Sequence, residues 1–273
     1  MKQVALGLHN YHDTTQSFPY GTNLGVNVAD PTYPVVSGAP QRYSWFHLIM
    51  PFVEQQPLGD QFKARMDAGQ LIFGHSSGNV VVSTFMCPAD DVGPKVGSPK
   101  ASGQGFHGNY QPCHGSSHTG SGDMNAADGI FYTRSKTKIK DITDGTSKTV
   151  MVSEIRLQID SQPGDGTGNV VCNATHDLRG RYHNVMHGNA TFTTMRPPNT
   201  QVGDRLQYCI GTTRAPCRGC TSSNMETHAR SWHPGGVIAA FADASVRFVG
   251  DGIEPIVFQA MGSRAKGEVV ADD

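Results

Sequence analysis

The segment from His107 to Asp128 holds the densest set of side chains that could bind a metal ion. It contains three histidines, two aspartates and one cysteine, namely His107, His114, His118, Asp123, Asp128 and Cys113. Imidazole and thiol groups are ligands for zinc or copper, whereas carboxylates with backbone carbonyls suit calcium. Because the spacing of these residues is irregular, a solvated polar loop without a metal is the alternative interpretation.

The cysteines indicate the compartment of the protein. There are six of them, Cys87, Cys113, Cys172, Cys209, Cys217 and Cys220. An even number spread through Gly-rich segments favours disulfides and an extracytoplasmic location, although the sequence does not choose the pairing. Cys217 and Cys220 have zinc-knuckle spacing, but the second pair that a zinc ribbon needs is absent. We therefore predict structural disulfides.

Other candidate residues lie next to turns. His233 precedes Pro-Gly-Gly and an apolar run, where it could be a ligand or could order the loop through hydrogen bonds; we favour the second role. Asp243 is predicted to be a turn residue. A carboxylate pair drawn from Glu154, Asp141 and Asp144 would suit a glycosidase-like hydrolase, but carboxylates beside turns are commonly exposed caps. No nucleophile elbow, His-Glu-x-x-His motif or phosphate-binding loop is found, so we expect no enzymatic activity.

Composition excludes several classes of protein. Hydrophobic residues make up 37% and charged residues 16%, and 32 glycines and 16 prolines predict a loop-rich, mostly β chain. With 22 basic and 23 acidic residues the net charge is −1, so nucleic acid is not an expected partner. The longest apolar run, residues 237–242, is too short to span a bilayer. Twelve histidines predict a strongly positive charge below about pH 6.

Hydrophobic periodicity places these residues on elements. The pattern predicts helices at 2–12, 43–56 (broken at Pro51) and 254–261, strands at 80–85, 129–133 and 149–154, and a hairpin of 237–241 with 245–249. Asp144-Gly145 predicts a turn. The segment 93–129 reads as one elaborated loop, and 156–231 as polar and turn-rich.

Motifs in chain order resemble a planctomycete-type pilin-like family of unknown function. That family has a prepilin-type N terminus and a C-terminal signature of His, nine residues, then Asp-Gly. Here His233 is followed by nine residues and Asp243-Ala244, so alanine replaces the glycine. A residue other than glycine at positive φ costs about 1 kcal/mol. The other matching segments are Lys2 to Asp13 with Ser17-Phe18-Pro19, Trp45 to Gln55, Phe85-Met86-Cys87-Pro88-Ala89-Asp90, Asn109-Tyr110, Asp141 to Ser147 (with Asp144 and Gly145) through Glu154, and Gly267 to Val270.

The resemblance implies an α+β fold, in which the end of a long N-terminal pilin helix packs on an antiparallel β-sheet head with long, disulfide-stabilised loops. We expect one head over 1–273, made of the helix end (1–16), a first head region (17–155), a loop-rich insertion (156–231) and the C-terminal hairpin with a short helix (232–273). An upstream segment of about 30 residues would supply a basic leader, a cleavage site and an apolar helix.

The implied function is that of a structural subunit of an extracellular filament related to type IV pili or type II secretion pseudopili. Its partners would be copies of itself or other pilin-like subunits, and it would contact the membrane only through the upstream helix. No cofactor is required, and calcium or zinc are the candidate ions. The alternative is an extracytoplasmic metal- or glycan-binding module without catalysis.

Overall fold

In the described part of the chain, three of the α-helices lie in the first 67 residues, and most of the strands follow them. The computed structural model describes residues 1–24, 42–97, 104–118, 127–160, 176–185, 190–219 and 224–268. Its α-helices are α1 (Lys2–Thr15), α2 (Trp45–Ile49), α3 (Gln56–Asp67) and α4 (Pro255–Ala260). Single 3-10 turns occur at Met50–Val53, Ser76–Asn79, Ser83–Phe85 and Ile139–Asp141.

A five-stranded, mainly antiparallel sheet is the centre of the fold. The strands are β1 (Thr22–Leu24), β2 (Arg42–Ser44), β3 (Lys95–Val96), β4 (Phe106–His107), β5 (Tyr110–Gly115), β6 (Val150–Glu154), β7 (Phe192–Thr193), β8 (Asp204–Arg205), β9 (Cys217–Gly219), β10 (Gly236–Phe241) and β11 (Val246–Gly250). The central sheet has the order β11-β10-β6-β5-β7, in which only the β5–β7 pair is parallel. Two-stranded sheets join β1 to β2, β3 to β4 and β8 to β9.

The predicted hairpin is confirmed as β10 and β11, which pair antiparallel from Gly236 opposite Gly250 to Ala240 opposite Val246. Its turn is closed by the amide of Ala244, which donates to Phe241 O at 2.9 Å. Ala244 has φ 63°, so it takes the left-handed position that glycine holds in the family signature. The loss of glycine therefore leaves the turn in place, and the alanine methyl group is buried in the core.

α1 confirms the predicted N-terminal helix and ends where Gln16 adopts φ 62°. One face, formed by Val4, Ala5 and Leu8, is fully buried, while Leu6 on the opposite face is exposed. The helix has 14 residues, so the long pilin helix is not shown.

The second predicted helix is broken as expected. α2 begins after Ser44, whose amide donates to His47 Nδ1 at 3.0 Å, and a 3-10 turn with Pro51 near its start follows α2. α3 was not predicted, although Leu58 and Phe62, four residues apart, form its buried face.

Two strand predictions and one loop prediction from the sequence are wrong. Residues 80–85 form no strand, because Val80 and Val81 face solvent and only a 3-10 turn at Ser83–Phe85 forms. Residues 129–133 make only an isolated bridge, between Thr133 and Thr22. Conversely, the supposed loop 93–129 contains β5, every residue of which is buried between β6 and β7.

Two hydrophobic clusters lie on the two faces of β10. Ala240 belongs to an aromatic cluster that includes Trp45, Phe46 and Tyr182, whereas Ala239 belongs to a second cluster that packs against α4. The rings of Phe46 and Tyr182 stack with centroids 4.3 Å apart. Tyr182 comes from the predicted insertion 156–231, so this segment contributes to the main core.

Buried ion pairs hold most of that insertion. Arg179 contacts Asp177 at 2.8 Å and Asp204 at 3.3 Å, and Arg230 contacts Asp204 at 3.3 Å, with all four side chains almost fully buried. Burial alone would raise the pKa of Asp177, but the Arg179 charge and hydrogen bonds hold it below its ordinary value. The Cys209–Cys217 disulfide closes a short loop in the same region.

Candidate functional site

A thiol, a carboxylate and an imidazole converge at the end of β6. The ligand atoms of Cys87, Glu154 and His233 all lie within 4.8 Å of one another. His233 Nε2 is 3.5 Å from Cys87 Sγ and 3.2 Å from Glu154 Oε1, so one ring nitrogen faces both partners. Cys87 and Glu154 are buried, whereas the His233 side chain is 33% exposed.

Asn109 fixes the segment that carries Cys87. Its Oδ1 accepts from the Cys87 amide at 2.9 Å, and its Nδ2 donates to Asp90 Oδ2 and to Ile155 O. Asp90 in turn accepts from the amides of Val92 and Leu157. The turn after Cys87 is thereby tied to the residues that directly follow β6.

Glu154 is the last residue of β6, and its position is set by both neighbouring strands. It lies opposite Tyr110 of β5, and its Oε2 accepts from the amide of Ile238 in β10 at 2.8 Å. Oε1 is left to face His233. The carboxylate is therefore oriented by the backbone of the sheet.

The loop before β10 presents His233. The His233 amide donates to Ser231 Oγ at 3.0 Å, and Gly235 has φ 79°. At Gly236 a Cβ atom would lie 2.3 Å from Val249 O, so the hairpin excludes any side chain there. The two glycines are thus required by the backbone path that delivers the imidazole to Glu154.

The cluster does not have the geometry of a nucleophilic Cys–His–Glu triad. In a triad the base uses one ring nitrogen for the nucleophile and the other for the carboxylate, whereas here Nε2 faces both. Burial, together with the nearby Glu154 charge, raises the pKa of Cys87 to about 11. The thiol is therefore protonated at neutral pH rather than activated as a nucleophile.

A surface cleft borders His233. It has a volume of about 430 Å³, and its lining includes His233, Trp232 and Asp251. The guanidinium groups of Arg156 and Arg214 each lie 4.7 Å from the Trp232 ring. The exposed edge of the cluster therefore opens toward a cleft that carries both arginines and a carboxylate.

The predicted metal ligands of the segment 107–128 do not come together in the described residues. His107 donates to Arg179 O at 2.9 Å, His118 pairs with Glu226 at 3.1 Å, and Asp128 binds Ser116 and Lys266. Burial lowers the pKa of His114 to about 4. Asp123 lies outside the described residues.

The cysteine prediction holds in part. Cys209 and Cys217 form a disulfide, so Cys217 is not available to act with Cys220 as a Cys-x-x-Cys metal site. Cys87 and Cys113 are free buried thiols, so assigning them to disulfides was wrong. Cys113 is sealed in the second hydrophobic cluster, and Cys87 faces His233. Cys172 and Cys220 lie outside the described residues.

The remaining motif residues are structural. Asp144 accepts from the amides of Lys266 and Gly267, each at 2.8 Å, and so holds the C-terminal segment. The carbonyl oxygen of Gly145 accepts a hydrogen bond from the amide of Thr149, just before β6. Asp243 caps the hairpin turn by accepting from the Ser245 amide at 2.8 Å. The Asp-Gly turn and the hairpin tip also meet directly, since the Asp243 amide donates to Thr146 O.

Sequence reasoning did not find the cluster, although a signal was present. Cys87, Glu154 and His233 each come from a different motif segment, and Asn109, which supports Cys87, comes from a fourth. Segments that carry a shared motif are candidates for spatial contact. No single motif segment shows by itself that its side chain contacts those of the other segments.

These features define a class: a mixed α+β domain on a multi-stranded sheet, with a disulfide and a buried Cys–Glu–His cluster. The chain belongs to the family described as Protein of unknown function (DUF1559), whose model matches residues 1–255. No curated protein and no solved structure matches the chain. Among the described residues, no helix has the length and apolar character needed to cross a membrane.

Proposed function

We propose that the chain is the outward-facing head of a pilin-like or pseudopilin-like filament subunit, displayed outside the cytoplasm. The observation that carries the proposal is the attachment of α1 to the hairpin. Lys2 Nζ donates to Ala244 O at 2.8 Å, and His9 Nε2 donates to Ala242 O at 2.9 Å. The pilin-like resemblance implies an N-terminal helix packed on an antiparallel sheet; α1 reaches the hairpin through these two bonds and packs mainly on the 3-10 turn Met50–Val53 and on α2.

Apolar contacts also attach α1 to the rest of the head. Val4 and Leu8 are completely buried, and each contributes about 1.5–3 kcal/mol of hydrophobic stabilisation. In a filament, the helix would be held in the assembly while the head faces outward. A firm joint between α1 and the head would then keep the heads in fixed positions, and in this proposal α1 continues an apolar helix that lies upstream.

Two further features support assembly at the cell surface. β11 is an edge strand of the central sheet, and its Phe248 is 53% exposed. An open edge with an exposed aromatic side chain favours contact with another subunit. The Cys209–Cys217 disulfide supports an oxidising, extracytoplasmic compartment.

The test uses the full gene product, including all residues encoded upstream of Met1, expressed in a host with a pilin-assembly system. We expect sheared surface fractions to contain filaments that antibodies against this chain label in electron micrographs. Phe248→Lys should reduce filament yield, whereas Val80→Lys, which charges an exposed valine outside the sheet, should not. A full-length product that remains monomeric and is recovered without any membrane or filament association would refute the proposal.

A further inference from the structure

We propose that Cys87 Sγ, Glu154 Oε1 and His233 Nε2 bind one zinc ion and leave its fourth position to water or an external ligand. This site is distinct from the histidine-rich segment 107–128 and does not depend on the filament function. Thiolate, carboxylate and imidazole are all zinc ligands, and three protein ligands with an open position form a known zinc arrangement.

The distances match the edges of a zinc tetrahedron. With Zn–S of about 2.3 Å and Zn–N and Zn–O of about 2.0 Å, the sulfur–nitrogen edge is about 3.5 Å and the nitrogen–oxygen edge about 3.3 Å. The corresponding distances are 3.5 Å from Cys87 Sγ to His233 Nε2 and 3.2 Å from His233 Nε2 to Glu154 Oε1. The third edge, from Cys87 Sγ to Glu154, is within 4.8 Å, compared with about 3.5 Å for a sulfur–oxygen edge around zinc.

The charge balance also favours a cation. Glu154 is only 2% exposed, and among the described side chains its ion-pair partner is the His233 imidazole, which carries a charge only when it is protonated. A buried carboxylate is costly unless a positive group compensates it. Zinc would supply that charge, and because the Cys87 thiol is protonated in the metal-free chain, its coordination as a thiolate releases one proton to solvent.

The α-amino group of Met1 is a competing source of positive charge. It lies close enough to interact with Glu154 and Cys87, although burial lowers its pKa. A chain that carries residues before Met1 has no amino group at this position. Metal binding is therefore tested on such a chain.

The ligands are already oriented by their surroundings, as metal sites require. Asn109 and Asp90 hold the turn of Cys87, the Ile238 amide holds one oxygen of Glu154, and Ser231 holds the His233 backbone. Because the second oxygen of Glu154 is occupied by that amide, Oε1 alone points to the shared position.

The site can be reached from solvent. His233 lines the cleft of about 430 Å³, whereas Cys87 and Glu154 are buried behind it. An ion would enter past the imidazole, and its open position would face solvent on the same side. Binding would join three segments that are distant in sequence, since His233 is 146 residues from Cys87 and 79 from Glu154.

The experiment measures the metal content and zinc affinity of the chain that carries residues before Met1, after bound metal has been removed by chelation and dialysis. We expect zinc titration followed by elemental analysis to give one equivalent per chain. Cobalt substitution should give a thiolate-to-cobalt charge-transfer band, which Cys87→Ser abolishes and Cys113→Ala retains. A wild-type chain that keeps much less than one equivalent of zinc, or that lacks the cobalt band, would overturn the proposal.

His233→Ala and His118→Ala form a matched pair, because the two side chains are 33% and 37% exposed and each faces a glutamate. Replacing His233 should weaken zinc binding by at least about tenfold and remove the zinc-induced rise in Tm, with the circular dichroism spectrum unchanged. His118→Ala should bind zinc like the wild type. Equal affinity in His233→Ala and wild type, or equal loss in both variants, would show that the ion binds elsewhere.

Discussion

Asp204 is the carboxylate on which two buried arginines depend, and replacing it tests how the segment 176–231 is held. Its Oδ2 lies 3.3 Å from Arg179 Nη1 and its Oδ1 lies 3.3 Å from Arg230 Nη2. Oδ1 also accepts from the His228 amide at 3.2 Å. The separate hydrophobic cluster of this segment is small, comprising Leu206, Cys209 and Met225, whereas Tyr182 and Phe192 pack into the two larger clusters.

Asp204→Ala should cost about 3–5 kcal/mol of unfolding free energy, the range measured when one partner of a buried ion pair is removed. Arg179 keeps Asp177 at 2.8 Å, but Arg230 loses its carboxylate and retains only backbone carbonyls such as Val202 O. The control is Asp67→Ala, which breaks a shorter pair with Lys63 at 2.6 Å whose side chains are 64% and 74% exposed. Solvent screening predicts a cost of about 0–1 kcal/mol there.

Urea unfolding followed by circular dichroism measures both changes. A loss for Asp204→Ala no larger than that for Asp67→Ala would refute the reasoning, since burial would then not decide the strength of these pairs. The double variant Asp204→Leu with Arg230→Met removes both charges together. It should recover part of the lost stability, because no uncompensated charge remains buried.

Three further predictions concern separate features. Burial lowers the pKa of His47 to about 3 and that of His183 well below 6.5, so below pH 6.5 only the unfolded chain takes up these protons. The free energy of unfolding should therefore fall by about 2 kcal/mol per histidine between pH 7 and 5 and stay level above pH 7.5. In His47→Gln it should depend less on pH. Loss of the disulfide in Cys209→Ala should cost about 2–3 kcal/mol for this short loop, and added reductant should lower the Tm of the wild type but not of the variant. Gly236→Ala should lower the free energy of unfolding in urea by about 1–3 kcal/mol, whereas Gly252→Ala, with open space around its Cβ, should change it by less than about 0.5 kcal/mol. Equal losses in the two variants would contradict the steric argument.

The elements that could be predicted are those whose signal is local. The hairpin β10–β11 has two apolar runs around a short polar turn, and α4 has Pro255 at its start. β6 is a β-branched run after an Asp-Gly turn. In each case a few adjacent residues determine the backbone conformation, so the pattern is sufficient.

The parts that could not be predicted depend on distant partners. β5 reads Tyr-Gln-Pro-Cys-His-Gly, which lacks strand propensity, and becomes a strand because β6 and β7 pair with it on both sides. The buried histidines likewise give no local sign of burial; His47, for example, is neutral inside the core, so the expected gain of positive charge near pH 6 does not apply to it. The ion pairs of Arg179 are invisible to periodicity for the same reason.

The position of Trp232 makes its fluorescence a reporter of the cleft beside His233. The chain has two tryptophans, and they lie in different surroundings: Trp45 is fully buried, while Trp232 has the guanidinium groups of Arg156 and Arg214 each 4.7 Å from its ring and directly precedes His233. Indole emission responds to nearby charge, so movement of the His233 loop would change the signal from Trp232 and leave that from Trp45 constant. In a Trp45→Phe variant, intrinsic fluorescence would therefore report on the cleft and the cluster beside it without an attached label.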